Sequence, residues 1–197
     1  AAGARTVLVA RTTDALAEVA SDIGHGAIAV PCDLTDEGAV VAALARIEEE
    51  VGVPDILVNS AGVFPIAPIG ELSPGTFAEA VAMNLTAPFR LLHALVPAMR
   101  ARGSGHVVTI GSVADRTAYE GNAAYAATKF GARAVHEVLR QELRGSGVRV
   151  TLVSPGPVDT PIWDPIDPDH RPGFPPRAAM LRPGDVAGAV LWAVTRD

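Results

Sequence analysis

The sequence predicts an α/β fold in which a doubly wound parallel sheet carries helices on both faces. Three observations lead there. Five short apolar runs rich in β-branched residues alternate with four stretches of helical periodicity. The runs are apolar nearly throughout, as strands covered on both faces are, and parallel neighbours need crossovers that helices supply. Polar and glycine-rich residues gather where these runs end, and ligands in such sheets bind beyond the carboxyl ends of the strands.

Thr6 to Ala10 reads as the first strand, followed by a helix over Asp14 to Ile23 with Leu16, Val19, Ala20 and Ile23 on one stripe and a stop at Gly24. Ala27 to Val30 is the second strand. The turn Asp33 to Asp36 then leads into a helix over Glu37 to Val51, with Val40, Leu44, Ile47 and Val51 in register. Asp55 to Asn59 is the third strand. Ser73 to Arg100 is helical in pattern and predicted to fall into two pieces, with Pro88 and Pro97 disturbing the backbone, before Gly103 to Gly105. His106 to Ile110 is the fourth strand, Ala123 to Leu143 a long helix stopped by Gly145-Ser146-Gly147, and Arg149 to Val153 the fifth strand. The proline-rich stretch Pro161 to Pro183 breaks the rhythm before a last helix over Gly184 to Thr195. Irregular stretches of that length act as lids or binding loops, so 161–183 is expected to cover a substrate.

A chain of 197 residues, 49% of them hydrophobic, has enough core for one domain, expected here over 1–197. The net charge of -6 and the 5% aromatic content exclude a nucleic-acid surface, which needs clustered cations and stacking platforms. Cys32 stands alone and cannot close an internal disulfide, no apolar run has membrane-spanning length, and a reducing, cytoplasmic setting is expected. No membrane partner and no metal site are assigned. Of the 16 basic residues only Lys129 is a lysine. It follows Tyr125, one of two tyrosines, by one helical turn.

Residues at i and i+4 project from one face of a helix, so the Tyr125 and Lys129 heads can share a site. A phenol titrates near 10, and acid/base work near neutrality asks for a shift of about 2 to 3 units downward, for which a neighbouring ammonium has the right sign. An exposed Tyr/Lys pair on a helix has the same spacing. Ser112, at a strand end, offers a hydroxyl to a substrate oxygen, and also suits a cap or turn. Asn84 interrupts a helical stretch where asparagine is a poor helix former, which points to a bend or a specific bond.

Taken in order, Asn59-Ser60-Ala61-Gly62, Asn84, Gly111-Ser112, Tyr125-Ala126-Ala127-Thr128-Lys129 and Pro155-Gly156-Pro157-Val158-Asp159-Thr160 resemble the motifs of the short-chain dehydrogenase/reductase family, single-domain branch, over nearly the whole chain. The resemblance implies a Rossmann-type fold and an oxidoreductase moving a hydride between NADP(H) and a carbonyl or secondary alcohol. Tyr125 is then the acid/base, Lys129 lowers its pKa and binds the cofactor ribose, and Ser112 orients the substrate oxygen. Asn84 resembles the fourth member, which holds a water in a proton relay through Lys129. Asn59, Ala61, Gly62, Pro155, Gly156, Val158 and Thr160 fall on cofactor-binding positions. Asp33, with Leu34 beside it, resembles the aspartate that bonds adenine.

An acid at the end of the first strand would repel a 2'-phosphate, whereas Ala10-Arg11 offers a planar cation, so NADP is preferred over NAD. The family's glycine-rich pyrophosphate loop has no counterpart here. Ala1 to Ala4 resembles the tail of the helix after it, and a strand beyond the last helix is also missing, so the domain is expected to be incomplete at both ends. In this fold the absent strand lies between Thr6–Ala10 and Asp55–Asn59, which are therefore predicted not to pair. Two other readings stand beside the dehydrogenase: a non-catalytic NAD(P)-binding regulator, and an epimerase or dehydratase of the same superfamily. A homodimer or homotetramer is expected through the helices holding Leu91 to Met99 and Ala132 to Leu143, whose apolar residues exceed one stripe.

Overall fold

The structure is a computed structural model and describes residues 3–196. Ala1 and Ala2, part of the expected helix tail, lie outside the described residues. The chain runs β1 (Val7–Ala10), α1 (Thr13–Ile23), β2 (Ile28–Pro31), α2 (Glu37–Val51), β3 (Ile56–Asn59), α3 (Pro74–Val81), α4 (Ala87–Arg102), β4 (Gly105–Ile110), α5 (Ala123–Glu142), β5 (Val148–Val153) and α6 (Pro183–Val194). All strand pairs are parallel. β1 pairs with β2, and separately β3, β4 and β5 form a sheet in that order. β1 and β3 are not hydrogen-bonded to each other, as the predicted strand order requires.

Helix starts follow local chemistry. The Asp36 carboxylate accepts from Ala39 N at 3.0 Å ahead of α2, and the Ser73 hydroxyl accepts from Thr76 N at 3.0 Å ahead of α3, with Pro74 in the first turn where no N–H is needed. The helical stretch from Ser73 onward divides, but not at its prolines. Pro88 sits in the first turn of α4 and Pro97 is accommodated inside it. The division is a π-helical turn over Ala82–Thr86, centred on Asn84. Such wide turns insert one residue into the helix and recur at functional sites.

Two cores flank the sheets. Val30, Leu34, Val40, Ala43, Ile47 and Ala87 pack around β2 and α2, while Leu92, Met99, Val107, Leu139, Leu143 and Val148 pack between β4, α4 and α5. α4 contributes to both, Ala87 to the first and Leu92 and Met99 to the second, so it ties the halves together. This packing narrows the sequence argument for self-association. Leu92, Met99 and Leu139 are buried inside the chain and Leu95, Val96 and Val135 pack against them, which leaves Val138 as the exposed residue of that set.

The turn from α5 into β5 needs glycine for two different reasons. Gly145 and Gly147 both adopt left-handed φ, 75° and 81°, but a Cβ on Gly147 would also lie 2.0 Å from the Gly103 carbonyl oxygen, whereas one on Gly145 meets nothing. We expect Gly145→Ala to cost about 1 to 2 kcal/mol, the conformational penalty alone, and Gly147→Ala clearly more. Urea unfolding midpoints of the two variants test this, and equal losses would contradict it.

Candidate active site

Because the strands are parallel, their carboxyl ends lie on one rim, and the loops leaving β3, β4 and β5 meet the amino-terminal turns of α5 there. Ser112 follows β4. Its hydroxyl oxygen accepts from Ala114 N at 3.1 Å, capping a short 3-10 turn over Val113–Asp115 and leaving the O–H proton to point elsewhere. Tyr125 and Lys129 stand in the first turns of α5, with the Lys129 ammonium 5.5 Å from the Tyr125 ring centroid. Lys129 is buried and donates to the Ile110 carbonyl at 2.9 Å.

Asn84 connects three of these segments. Its side-chain oxygen accepts from Val63 N at 2.8 Å, and its nitrogen donates to Val63 O at 2.9 Å and to Thr128 Oγ1 at 3.1 Å. Thr128 in turn donates to the Tyr125 carbonyl at 2.8 Å. Gly62 is confined by the same group, since a Cβ there would lie 3.2 Å from the Asn84 oxygen. The clamp on Val63 fixes Phe64, whose ring meets Tyr125 edge-on at 4.6 Å and Trp163 at 5.0 Å. Trp163, buried, donates to Val158 O at 3.0 Å and meets Phe174 at 6.1 Å. Arg177 bonds Asp159 and Asp164, each at 2.6 Å, so the segment after β5 is pinned against the aromatic row.

The electrostatics centre on a buried carboxylate. Asp115 is 1% exposed and pairs with Arg116 at 2.7 Å and Arg133 at 3.5 Å, while Ser154 donates to its other oxygen. Burial pushes its pKa up, but the bonds from Arg116 and Ser154 outweigh that and hold it below the ordinary value. Burial raises the Tyr125 phenol, the Ser112 hydroxyl beside it pulls the other way, and the Asp115 charge adds to the rise. Burial draws Lys129 down to about 8 against the opposing pull of Asp115. The expected downward shift of Tyr125 by Lys129 is therefore not what this arrangement gives. The ammonium lies over the ring and bonds Ile110 O, and burial governs the phenol.

The structure brings Asn84, Ser112, Tyr125 and Lys129 together, with Pro155 beside them, since Val113 N donates to its carbonyl at 2.9 Å. Val158 bridges to Leu181, and Gly156 and Thr160 belong to the same segment. Asn59, Ala61 and Gly62 lie at the end of β3 on this rim, Asn59 buried and its side-chain polar atoms without a partner among the described residues. Arg11, Asp33 and Leu34 sit apart, at the carboxyl ends of β1 and β2 in the other sheet. Asp33 accepts from the Thr35 amide at 2.9 Å and hydroxyl at 2.7 Å, and these bonds, against slight burial and with help from Arg11, lower its pKa. Leu34 is buried in the first core. Asp115 and Phe64 were not singled out in the sequence. An acid three positions beyond the strand-end serine, followed at once by an arginine, was the signal for the first; nothing in the spacing pointed to the second.

The family model for short chain dehydrogenase matches residues 1–171. An uncharacterized oxidoreductase of Staphylococcus saprophyticus is 31% identical over 98% of this chain and 80% of its own. Among solved structures, an alcohol dehydrogenase from the archaeon Thermococcus sibiricus complexed with 5-hydroxy-NADP has a TM-score of 0.87 at 26% identity, over 100% of this chain and 82% of that one. A metagenomic short-chain oxidoreductase in complex with NADP has a TM-score of 0.82 at 32% identity, over 98% and 80%. The chain belongs to the short-chain dehydrogenase family of oxidoreductases, with the Rossmann-like fold that family shares. Its members use NAD(P), and the residues here fit that group at its two ends. Exposed Arg11 stands near Asp33 at one sheet, and Ala61, Lys129 and the Asn59 amide, which has no partner among the described residues, line one cavity at the rim of the other. Among the described residues no helix is long and apolar enough to cross a membrane.

A group whose folded pKa is depressed contributes stability that is full above its ordinary value and is lost as the pH falls through the folded value. For Asp115 the loss therefore begins as the pH drops below the ordinary 3.8. In urea unfolding the stability gap between the wild type and Asp115→Asn should be constant near neutrality and close in acid; a gap that does not change with pH would contradict this.

Proposed function

We propose that the protein is an NADP-dependent oxidoreductase interconverting a carbonyl compound and a secondary alcohol, with Tyr125 as the acid/base. The observation that carries this reading is the convergence of Ser112, Tyr125 and Lys129 at the carboxyl end of β4 and the start of α5, locked by Asn84. When bound, NADP supplies or takes the hydride. Lys129 would hold the ribose, Arg11 the 2'-phosphate and Asp33 the adenine, while Asn59, Ala61, Gly62, Pro155, Gly156, Val158 and Thr160 would line the remainder of the cofactor's path.

In the reducing direction Ser112 turns its O–H from Tyr125 to the substrate oxygen and fixes its position. Tyr125 then transfers its phenolic proton to that oxygen. A phenol held above its ordinary pKa stays protonated at neutral pH, which suits a donor more than a base. Lys129, near 8, is mainly charged at neutral pH and places its cation where phenolate charge develops. Phe64, Trp163 and Phe174 form an apolar wall beside Tyr125, so the substrate is a small apolar carbonyl compound that the segment 161–183 covers. Exposed Phe89, Phe130 and Val138 on α4 and α5 support a homo-oligomer joined through those helices.

NADPH consumption over a panel of apolar aldehydes and ketones tests the reading. Tyr125→Phe should lower kcat by at least about a hundredfold, the scale of a lost general acid, while NADPH affinity stays near the parent's. Activity within tenfold of the parent would remove Tyr125 from its role. Arg11→Ala should weaken NADPH far more than NADH, measured by fluorescence titration; equal losses would point away from a 2'-phosphate contact.

A further inference from the structure

Three elements of the site meet at one buried carboxylate. Asp115 ends the 3-10 turn that follows Ser112, and its N–H donates to the Ser112 carbonyl at 2.9 Å. From the end of β5 the Ser154 hydroxyl donates to its Oδ2, and from α5 the Arg133 guanidinium reaches its Oδ1 at 3.5 Å. Arg133 stands one turn beyond Lys129 and two beyond Tyr125, on the same flank of the helix. Asp115 and Lys129 also meet the same peptide. The Lys129 ammonium bonds Ile110 O at 2.9 Å, and the carboxylate lies over Gly111, where a Cβ would stand 2.8 Å from Asp115 Oδ2. The side-chain hydrogen bonds of Asp115 go to Arg116 and Ser154, so it acts on Tyr125 and Lys129 through space.

Two cations face this anion, and they do not cancel it. The Arg116 and Arg133 side chains are 51% and 38% exposed, whereas that of Asp115 is 0% exposed. Charge that reaches water is screened, and buried charge is screened much less. Toward the interior, where Tyr125 and Lys129 lie, the field of the carboxylate therefore prevails. Among the other groups around it, His136 on α5 is held below its ordinary pKa, first by burial, and is neutral at neutral pH. Ser154 and Gly111, on the strand side, carry no charge.

We propose that Asp115 is a positioning residue of this site: braced by Ser154, Arg116 and Arg133, it fixes a buried negative charge beside Tyr125 and Lys129, and the site gives a proton to a carbonyl more readily than it takes one from an alcohol. The second half rests on the oxidoreductase reading. In reduction the Tyr125 O–H bond breaks and an O–H bond forms on the substrate oxygen while the carbonyl carbon gains the hydride. In oxidation a Tyr125 phenolate must take the O–H proton of the alcohol while the carbinol carbon gives its hydride to NADP. A nearby anion favours the neutral phenol and the charged ammonium. The directions agree: burial raises the phenol, Ser112 opposes and Asp115 adds to the rise, while burial draws Lys129 down to about 8 and Asp115 resists.

Two measurements on the full chain test this. Lys129 is the only lysine in the sequence, so in protein labelled with carbon-13 lysine a single ε-carbon signal reports its titration. The wild-type midpoint should lie at about 8. Asp115→Asn should lower it, and Arg116→Gln, which strips a cation from the anion and leaves the anion in place, should raise it. A midpoint unmoved in both variants, or moved the same way in both, overturns the charge role. If Asp115→Asn does not fold, Arg116→Gln decides alone, and a midpoint that stays or falls overturns it. In turnover, with the ketone of the panel that is reduced fastest and its own alcohol, Asp115→Asn should raise oxidation relative to reduction severalfold at neutral pH. A ratio unchanged at every pH overturns the bias. A protein whose Lys129 titrates as expected but that turns over no carbonyl compound overturns the oxidoreductase reading, and the bias with it, while the placed charge stands.

Discussion

The Asn84 carboxamide grips both polar groups of the Val63 peptide and reaches Thr128, and through that one side chain the loop after β3, the π turn and the start of α5 are held in a single arrangement. Each bond is worth only about 0.5 to 1.5 kcal/mol net, but removing the amide would strand buried partners at about 1 to 3 kcal/mol each. The backbone geometry and the side-chain chemistry are therefore coupled. The π turn over Ala82–Thr86 holds Asn84 within reach of Val63, and the clamp in turn sets Phe64 against Tyr125.

Around that clamp the site is an exercise in burying ionisable groups without leaving them uncompensated. Asp115 is a fully buried anion close to Tyr125, Lys129 and His136, and it is tolerated because Arg116, Arg133 and Ser154 surround it. Its charge opposes the loss of the Lys129 proton and opposes ionisation of Tyr125. Gly111 belongs to this cluster, since a Cβ there would lie 2.8 Å from both the Asp115 carboxylate and the Ser154 hydroxyl. The glycine before Ser112 makes room for the carboxylate that tunes its neighbours.

Much of this was legible in the sequence because it depends on local periodicity. The order of strands and helices, the bounds of α2 and the rim that gathers Ser112, Tyr125 and Lys129 follow from apolar runs and i,i+4 spacing. What failed depended on tertiary context. Pro88 and Pro97 were expected to disturb the backbone locally, yet Pro88 occupies a first turn and Pro97 is carried within the helix, while the interruption is a π turn. The apolar residues of α4 and α5 seemed too many for one face, but two cores absorb most of them. Spacing alone gave Tyr125 a depressed pKa, and burial reverses the sign.

The central claim is that this site moves a hydride directly between cofactor and substrate carbon while protein groups handle only the proton. Turnover with NADPH deuterated at the transferring position of the nicotinamide ring, read by mass spectrometry of the alcohol formed, tests it most directly. The account predicts one deuterium on the former carbonyl carbon and none lost to water. Alcohol formed without the label, or label released to solvent, would contradict it.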